Sequence, residues 1–160
     1  MTDTPIIMRE HQYERINKIL TKLRTDASSR VVFLVDKNGQ QIAIQGDVGD
    51  LDTTSLASLA AGNVAATGGM ARLIGEKEFP TLSHEGERES IHICIIDRAL
   101  LVVVFDERSS LGLVKLRVKQ ASRELSAIFA EITREAKEKS ASETSLFAEI
   151  TDEDIDSLFN

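Results

Sequence analysis

The sequence predicts an α/β chain of the α+β kind: a five-stranded antiparallel sheet with one helix on one face and two on the other. Three observations carry this. Stretches with apolar residues every three or four positions alternate with short runs rich in valine and isoleucine. The apolar runs are joined by connections too short for parallel crossovers, so the strands must form antiparallel meanders. One run, LLVVVF from Leu100 to Phe105, is continuously apolar, which marks a central strand covered by helices on both sides.

Taken in order, Tyr13, Ile16, Leu20 and Leu23 give a first amphipathic helix from about Ile7 to Arg24. DASSR interrupts it. VVFLV (Val31 to Val35) is the first strand, and Asp36-Lys37-Asn38-Gly39 after it is a hairpin signal, because Asn and Gly both tolerate positive φ. QQIAI returns, with Ile42 and Ile44 expected on one side, and GDVGD leads into a long middle helix. TLSHEGERE reads as a weak strand at a sheet edge. SIHICII (Ser90 to Ile96) alternates, placing Ile91, Ile93 and Ile95 on one face and His92, Cys94 and Ile96 on the other. Asp97-Arg98 turns it back into the central strand. Ser109 or Ser110 caps a last helix whose Leu111, Val114, Val118, Ala121, Leu125, Ile128 and Ile132 form a stripe expected to lie on the sheet.

The middle stretch, DTTSLASLAAGNVAATGGMARLIG, organises the rest. Asp52 or Thr53 caps its start and Gly75 closes it. At 100° per residue, Leu56, Leu59, Asn63, Ala66, Thr67, Met70, Leu73 and Ile74 share a face expected to pack on the core. The opposite face collects Ala57, Ser58, Ala61, Gly62, Ala65, Gly68 and Gly69, with Arg72 at its end. No long charged side chain wets it for four turns, and each interior glycine costs a helix roughly 1 kcal/mol against alanine. Close approach by another backbone accounts for both features. A merely exposed helix, or one broken at Gly68-Gly69, is the alternative.

Composition sets outer bounds. A chain of 160 residues with 42% hydrophobic content is one domain with a real core, built of Val, Ile, Leu and Ala rather than aromatics. Its net charge of -7 argues against nucleic-acid binding. The single cysteine, Cys94, cannot form an internal disulfide and is expected in the core. No secretory pattern and no membrane-length apolar run are seen, so a cytoplasmic protein without membrane insertion is expected. From about Ala136 the character changes: residues 1–135 are read as the folded domain and 136–160 as a flexible linker and tail. AKEKSASETS has linker composition. Glu143 to Asn160 carries six acidic residues, no basic one, and the apolar set Leu146, Phe147, Ile150, Ile155, Leu158 and Phe159. Such a segment could dock its apolar side on a partner or fold back on its own domain.

Enzyme signatures are missing. No Lys-Ser or Lys-Thr follows Gly62 to Gly69, and neither G-x-G-x-x-G after a strand nor G-x-S-x-G occurs. His11, His84 and His92 lie on different elements and make no metal spacing. No catalytic residue, metal or cofactor is expected.

The element order, with VVFLVDKNGQQIAIQG, the helix ending GGMARLIG, and SIHICIIDRALLVVVFDERSSLGLVKLRV, resembles the Roadblock/dynein light chain family from about Tyr13 to Ile132. The whole sequence, tail included, is closely similar to that family's bacterial gliding-motility polarity members. The resemblance implies a Roadblock/longin-like fold and a homodimer in which the edge strand Thr81, Leu82, Ser83, His84 pairs with its twin. It implies a platform of two middle helices for a Ras-like small GTPase, with Ala57, Ala61, Ala65, Gly68, Gly69 and Arg72 in contact. It further implies activation of GTP hydrolysis without an arginine finger, a tail acting on nucleotide exchange, and concentration at a cell pole. A scaffold that does not activate, and a small-ligand sensor of profilin-like architecture, are the competing readings. The sensor needs a polar cavity between helix and sheet, whereas the strand faces read as close-packed.

Overall fold

The computed structural model describes residues 6–148, with side chains as far as residue 145. Its elements are α1 (Glu10–Asp26), β1 (Val31–Asp36), β2 (Gln41–Gly46), α2 (Thr53–Leu73), β3 (Thr81–Glu85), β4 (Glu89–Ile96), β5 (Ala99–Asp106) and α3 (Leu111–Ala148). The strands form one antiparallel sheet in the order β2-β1-β5-β4-β3. The apolar run of β5 lies in the middle and is buried from Ala99 to Phe105. α1 and α3 cover one face, where Leu20, Leu101, Val103, Leu125 and Ile128 pack together. α2 covers the other, over Phe33, Ile93, Leu100 and Val102. This is the three-helix, five-stranded arrangement that the patterning predicts.

Local chemistry explains most boundaries. Ser110 accepts a hydrogen bond from the Leu113 amide (3.2 Å) and starts α3. Asp36 Oδ1 accepts from the amides of Asn38 (2.9 Å) and Gln40 (3.0 Å), which shapes the β1–β2 turn. Gly39 alone takes positive φ there (+91°), and a Cβ on it would stand 3.0 Å from Ser58 Cα, so the glycine lets the hairpin tip meet α2.

Four expectations need correction. In α1 the inward stripe is Gln12, Ile16, Leu20 and Leu23, and Tyr13 lies outside. Gln12 is tolerated inside because its amide is satisfied: Oε1 accepts from the Arg9 amide (2.8 Å) and Nε2 donates to Glu135 (3.1 Å). In β2 the register slips where Val35 pairs with Gln41, so Ile42 packs against the α1–α3 side and Ile44 against the α2 side. The stretch from Ala136, read as a linker, continues α3 as helix to Ala148, although α3 buries nothing beyond Ile132 among the residues with described side chains. The fourth correction concerns α2 itself.

Candidate functional site

α2 is well terminated at both ends. Asp52 accepts from the Ser55 amide (3.0 Å) and hydroxyl (2.6 Å), bonds that hold its carboxyl below the usual aspartate range. Gly75 at φ +84° closes the other end, with the Glu76 amide reaching back to the Ala71 carbonyl (2.9 Å) and the Gly75 amide to that of Arg72 (3.2 Å). The helix is unbroken through Gly68-Gly69.

Its rotation differs from the expected one by roughly a third of a turn. Ala57 is 1% exposed and packs on the sheet with Ala60 and Ala61, while Ala71 is also buried. The large residues assigned to the core point the other way: Leu59 is 70% exposed, Leu73 87%, and Met70 and Ile74 are exposed too. Only Leu56 and Val64 of the larger aliphatics lean on the core. Alanines bring the helix axis close to the sheet, and the apolar surplus is turned outward, an arrangement seen where a second apolar contact exists outside the chain.

The predicted contact residues therefore divide. Ala57 and Ala61 seat the helix inside its own chain and are unavailable to a partner. Ala65 and Arg72 are exposed, and Gly68 and Gly69 are half-buried. A Cβ placed on Gly62 or Gly69 would meet nothing within 4 Å, so neither glycine answers a packing need within the chain. Leu59, Ala66, Met70 and Leu73, absent from the predicted set, lie on the same outward face. Their exposure was not readable from periodicity, which assigns the larger residues inward.

β3 is an open edge of the sheet. Thr81, Ser83 and His84 are exposed and Leu82 leans on the α2-side core. Asn63 Nδ2 and His84 Nε2 lie 2.7 Å apart, tying α2 to this edge. Behind it, His92 is 1% exposed, with Nδ1 2.7 Å from Ser83 Oγ; burial foremost, then Lys115, pushes its pKa down. The Cys94 thiol is half-buried beside Ser122 Oγ (3.6 Å), and burial pushes its pKa up.

The remaining flank of α2 forms a cleft of about 420 Å³, where close packing was expected. Val64, Phe79, Ile95 and Leu100 give it an apolar floor, and Ala61, Ala65 and Gly68 form its helix wall. Lys37, Arg72, Lys77 and Arg98 line it with Asp36 and Glu78. The small residues leave the space that larger ones would fill. Among the predicted tail residues, Leu146 and Phe147 have backbone in α3, and Ile150, Ile155, Leu158 and Phe159 lie outside the described residues.

The outward face of α2 and the open edge of β3 together form a continuous small-residue and apolar surface. Residues 16–105 match the Roadblock/LC7 domain, and the chain belongs to that family. Among solved structures it is similar to Myxococcus xanthus MglB, with 54% identity, 79% of this chain and 96% of that one covered, and a TM-score of 0.74. It is also similar to the gliding protein MglB of Thermus thermophilus (34% identity, 81% and 99% covered, TM-score 0.76). An MglB with a tetrameric arrangement shares 32% identity over 82% of this chain and 99% of that one, with a TM-score of 0.77. No curated protein matches by sequence. No helix among the described residues is long and apolar enough to cross a membrane.

Proposed function

We propose that this chain is a homodimeric regulator of a Ras-like small GTPase of the MglA type, accelerating GTP hydrolysis in the control of cell polarity and gliding motility. The observation that carries the reading is the outward face of α2. Gly62 and Gly69 have open space above them, Ala65 and Ala66 are exposed, and Leu59, Met70 and Leu73 stand free, in a chain 54% identical to an MglB. Glycines with no role inside the chain fit a backbone arriving from outside, and the apolar side chains supply desolvation for a partner helix or switch loop.

Dimerisation through the open edge Thr81–His84 sets two α2 helices side by side, so two copies face one GTPase. Phosphoryl transfer depends mainly on positioning and charge stabilisation, so a rigid double-helix platform activates by holding the GTPase's own catalytic residues in place. Arg72 sits in the last turn of α2, where a cation complements the helix dipole, and its guanidinium lies over Gly68; we assign it a structural role rather than that of an arginine finger. The tail, by the same likeness, acts at a second place on the GTPase and modulates nucleotide exchange.

The test is binding of the GTP-loaded GTPase to Gly69→Arg and Ala65→Arg, whose side chains enter open space. Both variants should keep the dimer and lose binding. Undiminished binding would remove the platform from the account. A scaffold that binds without activating shares this surface and is separated from it only by a hydrolysis assay.

A further inference from the structure

The α2-flank cleft shares one wall with the outward platform and extends beyond it to the sheet, and its chemistry points to one occupant. We propose that it is the docking site of this chain's own C-terminal segment, with Ile155, Leu158 and Phe159 entering the apolar floor and the neighbouring carboxylates meeting the basic rim.

Charge is the first argument. The cleft gathers Lys37, Arg72 and Lys77 along its rim, with Asp36 and Glu78 as its acids. Asp36 is already occupied by two backbone amides of its own turn. Residues 149–160 hold Glu149, Asp152, Glu153, Asp154 and Asp156 with no base among them. These five carboxylates make up most of the chain's net negative charge, and a segment so charged is drawn to a basic corner.

Size is the second. A cleft of about 420 Å³ over Val64, Phe79, Ile95 and Leu100 accommodates a few large apolar side chains and no folded element. The tail carries such side chains at Ile155, Leu158 and Phe159, the i, i+3 and i+4 spacing that turns them to one side of a helical turn.

Reach is the third. β5 begins next to Asp97-Arg98, and α3 passes the same turn with Phe129 to Lys137, where these residues share a groove with Arg98. Arg98 also lines the cleft, so α3 leaves the sheet at the end where the cleft opens. From Ala136 to Ala148 the helix travels about 18 Å. Residues 149–155 span up to about 23 Å when extended, enough to run back along that length and leave the turn from Ile155 to Phe159 free to dock.

Ala65, Gly68 and Arg72 belong both to this cleft and to the contact set for the GTPase. If the platform reading holds, a docked tail occupies the flank of the binding helix and is displaced when the GTPase arrives, so its segment becomes available to the partner only in the complex.

The experiment uses the full chain without any GTPase, so its outcome is independent of the platform reading. A photoreactive phenylalanine analogue at position 159 is irradiated in a mixture of isotopically light and heavy protein, and the cross-links are mapped. The expected result is light–light and heavy–heavy cross-links to Val64, Phe79 or Ile95, falling at least five-fold in Lys37→Glu/Lys77→Glu. The same fall is expected in Gly68→Leu, which fills the cleft from its helix wall. Cross-links concentrated on α3, an unchanged yield in both variants, or mixed light–heavy links at the cleft would each overturn docking in the chain's own cleft.

Discussion

The two faces of the sheet are built on opposite rules. Under α1 and α3, large side chains such as Leu20, Leu125, Ile128 and Phe129 point inward, and Tyr13 and Leu116 are the large apolar residues of these helices among the exposed ones. Under α2 the inward residues are mainly alanines, and Leu59, Met70, Leu73 and Ile74 are turned outward. The first face is finished within one chain, whereas the second has apolar surface left over. The contrast is what the proposed platform on α2 rests on, and it needs no motif.

Substitutions of opposite size separate the two faces. Ala57→Arg puts an unpaired charge between α2 and the sheet and should cost at least about 3–5 kcal/mol, enough to abolish cooperative unfolding in a denaturant titration. On the other face the damaging change is large to small: Leu125→Ala should cost about 2–5 kcal/mol by the same measurement. If Ala57→Arg folded normally, α2 would not sit on its alanines.

A smaller effect concerns acid. Burial lowers the pKa of His92 in the folded state, so the unfolded chain binds a proton more readily. Stability is then unaffected by this group above the unfolded histidine value near 6.5 and declines as pH falls below it, by at most about 1.4 kcal/mol per pH unit. Unfolding titrations at pH 7 and 5 should show this loss, and His92→Gln should flatten it. An unchanged slope would mean that the ring is accommodated as a cation beside Ser83.

The smallest effect sharpens the comparison most. Gly69→Ala places a methyl in open space and removes a helix-interior glycine, so the free protein should gain up to about 1 kcal/mol, read as a modest rise in Tm. The same methyl should weaken GTPase binding. A substitution that helps the chain and harms the complex is the signature of a residue kept for a partner.

Much of this was legible in the sequence. The continuous run of β5, the alternation of Ile91, Ile93 and Ile95 against His92, Cys94 and Ile96, and the polar edge strand at Thr81 each report burial directly, and all stand in the sheet as read. The stripe of α3 held because one face of that helix carries nearly all its large apolar residues. The rotation of α2 was not legible, because periodicity places the largest residues inside and this helix instead buries alanines and exposes Leu59, Met70 and Leu73. Gln12 was missed because, beside its local capping bond to the Arg9 amide, its amide donor is satisfied by Glu135, which only the fold brings to it. The bulge in β2 shifts a register that alternation alone cannot see. The helical continuation to Ala148 runs through residues whose composition suits a linker and a solvated helix alike. The cleft is made by what the side chains of α2 lack, which no motif records.

The most direct test is multiple-turnover GTP hydrolysis by the MglA-type GTPase, alone and with this protein as the full chain, as a form ending at Ser140, and as Gly69→Arg. The account predicts a clear rate increase that survives removal of the tail and disappears in Gly69→Arg. Binding of the full chain with no increase in rate, or equal stimulation by Gly69→Arg, would contradict it.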